Sequence, residues 1–231
     1  MKEGQRTQYG SDVVQDWDTL SETFSENGIT EDVFGELEFS KGLIRTLQNV
    51  EPHPKAIHLQ EHRHFEPKLL DEVVMKFSER VQSLNLRHCQ VNDTVVRSIR
   101  DHTTCLHRLD LSHCPDITSK SMEFTLSAPS LSNLKALYIN NLSPGAINDT
   151  CLMNLRAPAL VELDLSHNAA ITDAGLENFG GRLRALRLLK LSKIPLMSSA
   201  GAAAFFRTNF DLREVSLTMN SQESFTDSGI A

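Results

Sequence analysis

The 231-residue sequence predicts an α/β solenoid, in which a short strand, a turn and a helix recur every 25 to 28 residues and stack side by side. Three observations carry this reading. First, a Leu-x-Leu step recurs. With its first apolar residue as an anchor, the anchors are Ile57, Leu84, Leu109, Leu137, Leu163, Leu189 and Val215, spaced by 27, 25, 28, 26, 26 and 26 residues. Second, apolar and polar residues alternate around each anchor. In Glu162-Leu163-Asp164-Leu165-Ser166 the two leucines share one face of a strand and the three polar residues share the other. Third, a turn then leads into a run of helical period. In Asp173-Ala174-Gly175-Leu176-Glu177-Asn178-Phe179, Leu176 and Phe179 fall at i, i+3, and Thr172 or Asp173 can cap the start.

In chain order, residues 1–50 come first and lie outside the repeat. Val13, Val14, Trp17, Leu20 and Phe24 follow helical spacing, with an end near Asn27-Gly28. Thr30 can cap a second helix that carries Phe34, Leu37, Leu43/Ile44 and Leu47, with Ile29 and Phe34 as a hydrophobic staple. This acidic segment is expected to be the N-terminal cap that a solenoid needs, or else a docking segment for an adaptor. Residues 51–231 form the repeats, about seven copies. The copy at Ile57 is weak and the last is incomplete. The second half of a copy opens eight residues after the anchor at Ile117, Ile171 and Met197, seven after it at Val91, and ten after it at Ile147. The longer gap contains Pro144-Gly145, which places the insertion in a turn. The sequence stops at Phe225-Thr226-Asp227-Ser228-Gly229-Ile230-Ala231, which matches only the start of a helix. That ending is expected to leave the flank of the Leu189 and Val215 copies poorly covered, as in a fragment or short form, or where a partner supplies the cap.

Composition narrows the function. The net charge is −7, and residues 1–50 hold four Lys/Arg against ten Asp/Glu while the rest of the chain holds nineteen against twenty. An acidic head on a near-neutral body argues against a phosphate-backbone binder. With 11 Phe, 2 Tyr and 1 Trp, base-stacking platforms are poorly supplied. No apolar run approaches the roughly 18–20 residues that span a bilayer, so no membrane partner is expected. The start, MKEGQRTQYG, has no apolar signal region. Cys89, Cys105, Cys114 and Cys151 form no Cys-x-x-Cys pair. Reduced thiols in the cytosol or nucleus are the expectation.

The segments Leu106-His107-Arg108-Leu109-Asp110-Leu111-Ser112-His113-Cys114 with Ile117-Thr118, and Leu160 to Asn168 with Ile171-Thr172-Asp173-Ala174-Gly175-Leu176, resemble the leucine-rich repeat, and within it the cysteine-containing subtype. The resemblance covers about residues 54–231 and is weakest at 54–80. It implies a right-handed, curved solenoid with a parallel sheet on the concave side and helices on the convex side. The subtype's ladder position, five residues after the anchor, reads His62, Cys89, Cys114, Leu142, Asn168, Ile194 and Asn220. A small polar group there satisfies turn backbone amides, so the turns at Leu142 and Ile194 need another partner. Many proteins with this subtype carry an F-box ahead of the repeats. Residues 1–50 lack its leading Leu-Pro and its Cys/Trp-rich helix, and Trp17 is at the wrong end.

On this fold the polar strand positions line the concave wall, and seven strands at about 4.8 Å would span roughly 29 Å. The candidate partner-binding residues are Arg87, Arg108, Asp110, Tyr138, Glu162, Asp164, Lys190 and Glu214. Their mixed signs suit a protein partner better than nucleic acid. Tyr138 and Arg108 are the expected anchors, because Tyr and Arg are enriched at hot spots. His88, His113 and His167 repeat four residues after their anchors, as Ser-His does in the subtype, so no shared metal is expected. His53, His58, His62 and His64 cluster, but Glu61 and Leu59 do not complete a His-Glu-x-x-His pattern, and His58 falls on a strand. Asp110, Ser112 and His113 have the residue types of a hydrolase triad without a Gly-rich elbow. No phosphate-binding glycine motif is present. Cys89 and Cys114 read as structural, and Cys151 stands where another copy has Gly175. The expectation is therefore no catalytic residue, no metal and no cofactor. Instead the resemblance implies protein–protein recognition, as a substrate-recognition part of a ubiquitin ligase docking an adaptor, or as a stand-alone scaffold or regulator.

Overall fold

The computed structural model describes residues 55–217, apart from His62, His64, Gly180, Gly181, Asn209 and Phe210. The helices expected within residues 1–50, His53, and the last copy beyond Leu217 lie outside the described residues. Three-residue strands alternate with helices: β1 (Ala56–His58), α1 (Pro67–Phe77), β2 (Ser83–Asn85), α2 (Asp93–His102), β3 (Arg108–Asp110), α3 (Ser119–Leu126), β4 (Ala136–Tyr138), α4 (Asp149–Asn154), β5 (Glu162–Asp164), α5 (Asp173–Phe179), β6 (Leu188–Lys190), α6 (Ser199–Thr208) and β7 (Glu214–Ser216). A single 3-10 turn, Pro129–Leu131, follows α3.

The strands form one parallel sheet in the order β1 to β7. The anchors pair in register throughout: Ile57 with Leu84, then Leu109, Leu137, Leu163, Leu189 and Val215. Repeats of unequal length keep this register because the extra residues are absorbed outside the strands. Gly145 takes a left-handed φ of 81° in the enlarged turn. Neighbouring strands sit about 4.8 Å apart, whereas packed helices need 8–10 Å or so. Stacking both in step bends the array, with the sheet on the inside.

The core lies between the two layers. The anchors from Ile57 to Leu189 are at most 3% exposed, and so are their partners two residues on, from Leu59 to Leu191. Burying one such Leu contributes about 1.5–3 kcal/mol. The helices answer with Val73, Ile99, Leu152, Leu176 and Phe205, and Phe179 stacks on Phe205 at 5.6 Å between ring centroids. Leu189 is 0% exposed beneath β7 and α6, whereas Val215 is 37% exposed. Among the described residues no helix is long and apolar enough to cross a membrane.

Two ladders tie each coil to the next. On the turn side, the residue four after each anchor has positive φ: Glu61 69°, His88 60°, His113 60°, Asn141 51°, His167 62° and Lys193 57°. That twist lets the turn continue the sheet pairing. His88 N–H donates to Ser112 O at 3.0 Å, His113 to Asn140 O at 3.0 Å and His167 to Ser192 O at 2.9 Å. The next residue points inward. Cys89 Sγ donates to Leu59 O at 2.7 Å, Cys114 Sγ to Leu86 O at 3.2 Å, and Asn168 Nδ2 to Ile139 O and Leu165 O, both at 2.9 Å. The groups served are carbonyl oxygens, so the ladder needs a donor; this corrects the expectation that amide N–H groups are satisfied there. Leu142 and Ile194 have no donor to give. For Ile194, the carbonyl that the register assigns to it, Leu165 O, is taken by Asn168.

On the helix side, the first residue of one helix holds the cap of the next. Asp93 accepts from Thr118 N–H at 2.8 Å, Asp149 from Thr172 N–H at 2.8 Å and Asp173 from Ser198 N–H at 2.8 Å, and each also accepts from the same residue's hydroxyl. Thr172 thus precedes α5 as the cap position, and Asp173 is its first helical residue. Two glycines make room for these carboxylates. A Cβ at Gly175 would stand 2.1 Å from Asp149 Oδ1, and one at Gly201 would stand 2.0 Å from Asp173 Oδ1. At the equivalent place of the two preceding helices stand Cys151, after Ser119, and Ser121, after Asp93.

Candidate protein-binding face

The polar strand positions lie on the sheet face turned away from the helices. Three of the candidate residues meet across three adjacent strands. The Arg108 guanidinium lies over the Tyr138 ring, 4.6 Å from its centroid. The Tyr138 hydroxyl donates to the Glu162 carboxylate, and Arg108 Nη1 is 4.0 Å from Glu162 Oε2. Burial pushes the Tyr138 phenol well above its ordinary range, the hydrogen bond to Glu162 adds to this, and the Arg108 charge opposes it. The phenol therefore stays protonated and remains a donor. Arg108 and Glu162 keep 46% and 33% of their side chains exposed, so the cluster is fixed yet open.

The remaining candidates divide. Asp110 Oδ1 accepts from Ser112 N–H at 2.9 Å, and Asp164 Oδ1 accepts from Ser166 N–H at 3.0 Å. Asn85 does the same for Arg87 N–H at 3.1 Å. These are local side-chain locks that steer the strand into its turn. Asp164 is 8% exposed, and its second oxygen accepts from Asn140 Nδ2 at 3.1 Å. Asn140 Nδ2 also donates to Ser112 Oγ at 2.8 Å. Asp164 is thus a supporting residue beneath the face. Arg87 lies at the turn edge, 3.9 Å from Glu61. Lys190 is half-buried on β6 and Glu214 exposed on β7, away from the Tyr138 cluster. Sequence reasoning did not single out Asn140 or Glu61. Asp110 and Asp164 were expected as surface residues, and nothing in the sequence distinguishes an Asp that faces solvent from one that accepts from the N–H two residues on.

The turn-edge histidines stack. The His88 and His113 rings lie 4.2 Å apart with 17° between planes. Glu61 Oε1 is 3.6 Å from His88 Nε2, and Asn141 Nδ2 is 2.7 Å from His113 Nδ1. An amide nitrogen only donates, so that contact requires an unprotonated Nδ1. Burial lowers the His113 pKa, the charges of His88, Arg87 and His167 lower it further, and Asp110 opposes them. His58 Nε2 is 3.1 Å from Ser83 Oγ, and among the described residues no three His, Cys, Asp or Glu side chains converge to hold a metal ion. Ser112 Oγ accepts from Asn140 while His113 faces Asn141, so Asp110, Ser112 and His113 form turn contacts and not a proton relay. The described thiols are unpaired with one another. Burial pushes the Cys114 thiol up strongly and the Cys151 thiol up to about 11, so both stay protonated donors at neutral pH.

A family model described as Leucine Rich repeat matches residues 102–124 and 158–180. Those segments contain β3 with the start of α3, and β5 with α5. No curated protein sequence matches the chain. Among solved structures, a chain of the crystal structure of the Rad7 and Elc1 complex in yeast is similar, with a TM-score of 0.65 and 14% identity, covering 82% of this chain and 56% of that one. The chain thus spans little more than half the length of this neighbour. The likeness is one of fold, and the molecule is an α/β leucine-rich-repeat solenoid.

Proposed function

We propose that the solenoid recognises a protein partner on its concave sheet face, with Arg108 and Tyr138 as anchors. Glu162 fixes them, Asp164 and Asp110 support them, and Arg87, Lys190 and Glu214 form the surround. The observation that carries this reading is the Arg108–Tyr138–Glu162 cluster. It presents an amphipathic ring and a planar cation whose rotamers are already restricted, so little further freedom is lost on binding. The mixed signs around it suit a polypeptide of complementary charge. The finer reading is that the chain is the substrate-recognition part of a ubiquitin ligase in the cytosol or nucleus. Two points support it: the resemblance to the cysteine-containing repeats of F-box proteins, and a fold neighbour solved together with a second protein. Thiols acting as hydrogen-bond donors at Cys89 and Cys114 fit a reducing compartment. The alternative is a stand-alone scaffold or regulator, favoured by the lack of an F-box pattern in residues 1–50.

Pull-down of the full chain, with and without residues 1–50, separates these readings. Cullin adaptors that co-purify and are lost on truncation support the ligase role. Other partners, recovered regardless of truncation, support the scaffold. Within either outcome, Tyr138→Ala or Arg108→Ala is expected to weaken the recovered partner at least about tenfold, the scale of a hot-spot residue. Titration calorimetry reads this directly, and unchanged affinity in both variants would remove the face from the interaction.

A further inference from the structure

The near-neutral charge of the repeats conceals a segregation that appears only once the coils are stacked. In the last four coils, the connections from each helix to the next strand carry Lys135, Arg156, Arg182, Arg184, Arg187 and Arg213 against one acid, Asp211. In the same part of the array, the connections from strand to helix carry Lys193 and no acid. One rim is therefore strongly basic. The backbone bonds fix its continuity: Arg187 N–H donates to Val161 O, Val161 N–H to Lys135 O, and Arg213 N–H to Arg187 O, each at 2.8 Å. Lys135, Arg156, Arg182, Arg184 and Arg213 are exposed, while Arg187 is half-buried with Nη1 3.9 Å from Asp211. An apolar foothold adjoins the rim. Phe124 and Met153, 56% and 43% exposed, lie in the last turns of the neighbouring helices α3 and α4, and the Met153 carbonyl accepts from Arg182.

The chain itself holds the complement. Residues 12–38 contain nine Asp/Glu and no Lys or Arg, with Trp17, Phe24 and Phe34 among the acids. Lys55, the first described residue, precedes β1 on this same rim. The sixteen residues from 39 to 54 reach up to about 50 Å when extended, whereas the rim at β4 is three strands, or roughly 14 Å, from β1. Tethering at such a distance gives an effective concentration in the millimolar range or so, ahead of any free acidic competitor. We infer that the acidic segment 12–38 docks within its own chain on the basic rim of the last four coils, its aromatic residues meeting Phe124 and Met153. The rim is thus a surface for an acidic, aromatic-bearing polypeptide, occupied in the resting chain by residues 12–38.

Carbodiimide cross-linking of the full chain, read by mass spectrometry, tests this, because it joins carboxylates to lysines only in contact. The expected result is bonds from residues 12–38 to Lys135 and few to Lys193 or Lys120, which lie away from the basic rim. These bonds should be lost in about 0.5 M salt, where screening is short-ranged. They should also be lost in the Arg184→Glu/Arg213→Glu variant and fall in the Trp17→Ala/Phe24→Ala/Phe34→Ala variant, which keeps all nine carboxylates available to react. The last variant leaves the solenoid untouched, so a folding defect in the rim variant does not blunt the test. No bond to Lys135, equal yields at Lys193, or bonds joining differently isotope-labelled copies would overturn the proposal.

Discussion

At the scale of single residues, the most constrained positions are small ones. Gly175 is required by the chain 26 residues earlier, because Asp149 places its carboxylate where a Cβ would be, at 2.1 Å from Oδ1 and 2.6 Å from Cγ. The carboxylate does not swing aside freely, since it holds Thr172 through both its N–H and its hydroxyl. Gly175→Ala is therefore expected to destabilise the fold by about 1–3 kcal/mol, as overpacking does. Two other coils bracket this: Cys151 follows Ser119, where no acid stands, and Ser121 follows Asp93, where the same carboxylate contacts to Thr118 coexist with a Cβ, so a shift of the acid relieves part of the cost. Asp149→Ser combined with Gly175→Ala should cost less than the sum of the two single changes. Urea unfolding of the four members of this cycle measures the coupling, and simple additivity would show that the two side chains do not compete for the same space.

At the scale of the element, the turn after each strand is the working part. It takes one residue in the left-handed region and, in three coils each, an inward donor from Cys89, Cys114 or Asn168 and a side-chain lock from Asn85, Asp110 or Asp164. Non-glycine residues tolerate that twist at a modest cost, and Asn tolerates it best. His113 sits there with Asn141 donating to its Nδ1 and His88 stacked on it, an arrangement that suits the neutral ring. Its pKa is lowered in the fold, so the unfolded chain binds the proton more readily, near the ordinary value of about 6.5. The stability tied to the neutral ring is present above that pH and is lost as the pH falls through it. His113→Asn keeps a residue suited to the turn, as Asn141 shows in the next coil, and removes the titration. The expected outcome is a urea midpoint that falls less between pH 7 and pH 5 than in the parent. An unchanged slope would assign the acid sensitivity to other groups. These turns were only partly legible in the sequence. The ladder residues Cys89, Cys114 and Asn168 stood out because they recur at a fixed offset. The Asp locks did not, because an outward Asp on a strand looks the same in sequence whether it faces solvent or its own backbone two residues on.

At the scale of the whole molecule, the fold was legible because a solenoid writes its register into the chain. The same anchor recurs, and all seven anchors pair with one another although the intervals differ by up to three residues. The face was less legible, since the contacts among Arg108, Tyr138 and Glu162 join residues 24 to 54 apart, and they become neighbours only when the coils are stacked. The basic rim was hidden for the same reason, offset in the sum by acids elsewhere in the same coils, Glu162, Asp164 and Glu214 on the strands and Asp149, Asp173 and Glu177 in the helices. A stack of this kind is held by neighbour-to-neighbour interfaces, so the place of a defect along it should matter more than its chemistry. Leu163 lies mid-array at 0% exposure, and Val215 lies on the last described strand at 37%. Leu163→Ala removes packing from both flanking coils and is expected to cost about 2–5 kcal/mol, the range for buried leucine. Val215→Ala removes less and has a coil on one side only among the described strands, so its cost should be under about 1 kcal/mol. Amide hydrogen exchange adds the spatial test: in Leu163→Ala, protection should fall first in β4, β5 and β6 and last in β1. Equal loss across all strands would mean that the coils unfold as one unit and that nearest-neighbour stacking is the wrong account of how this molecule holds together.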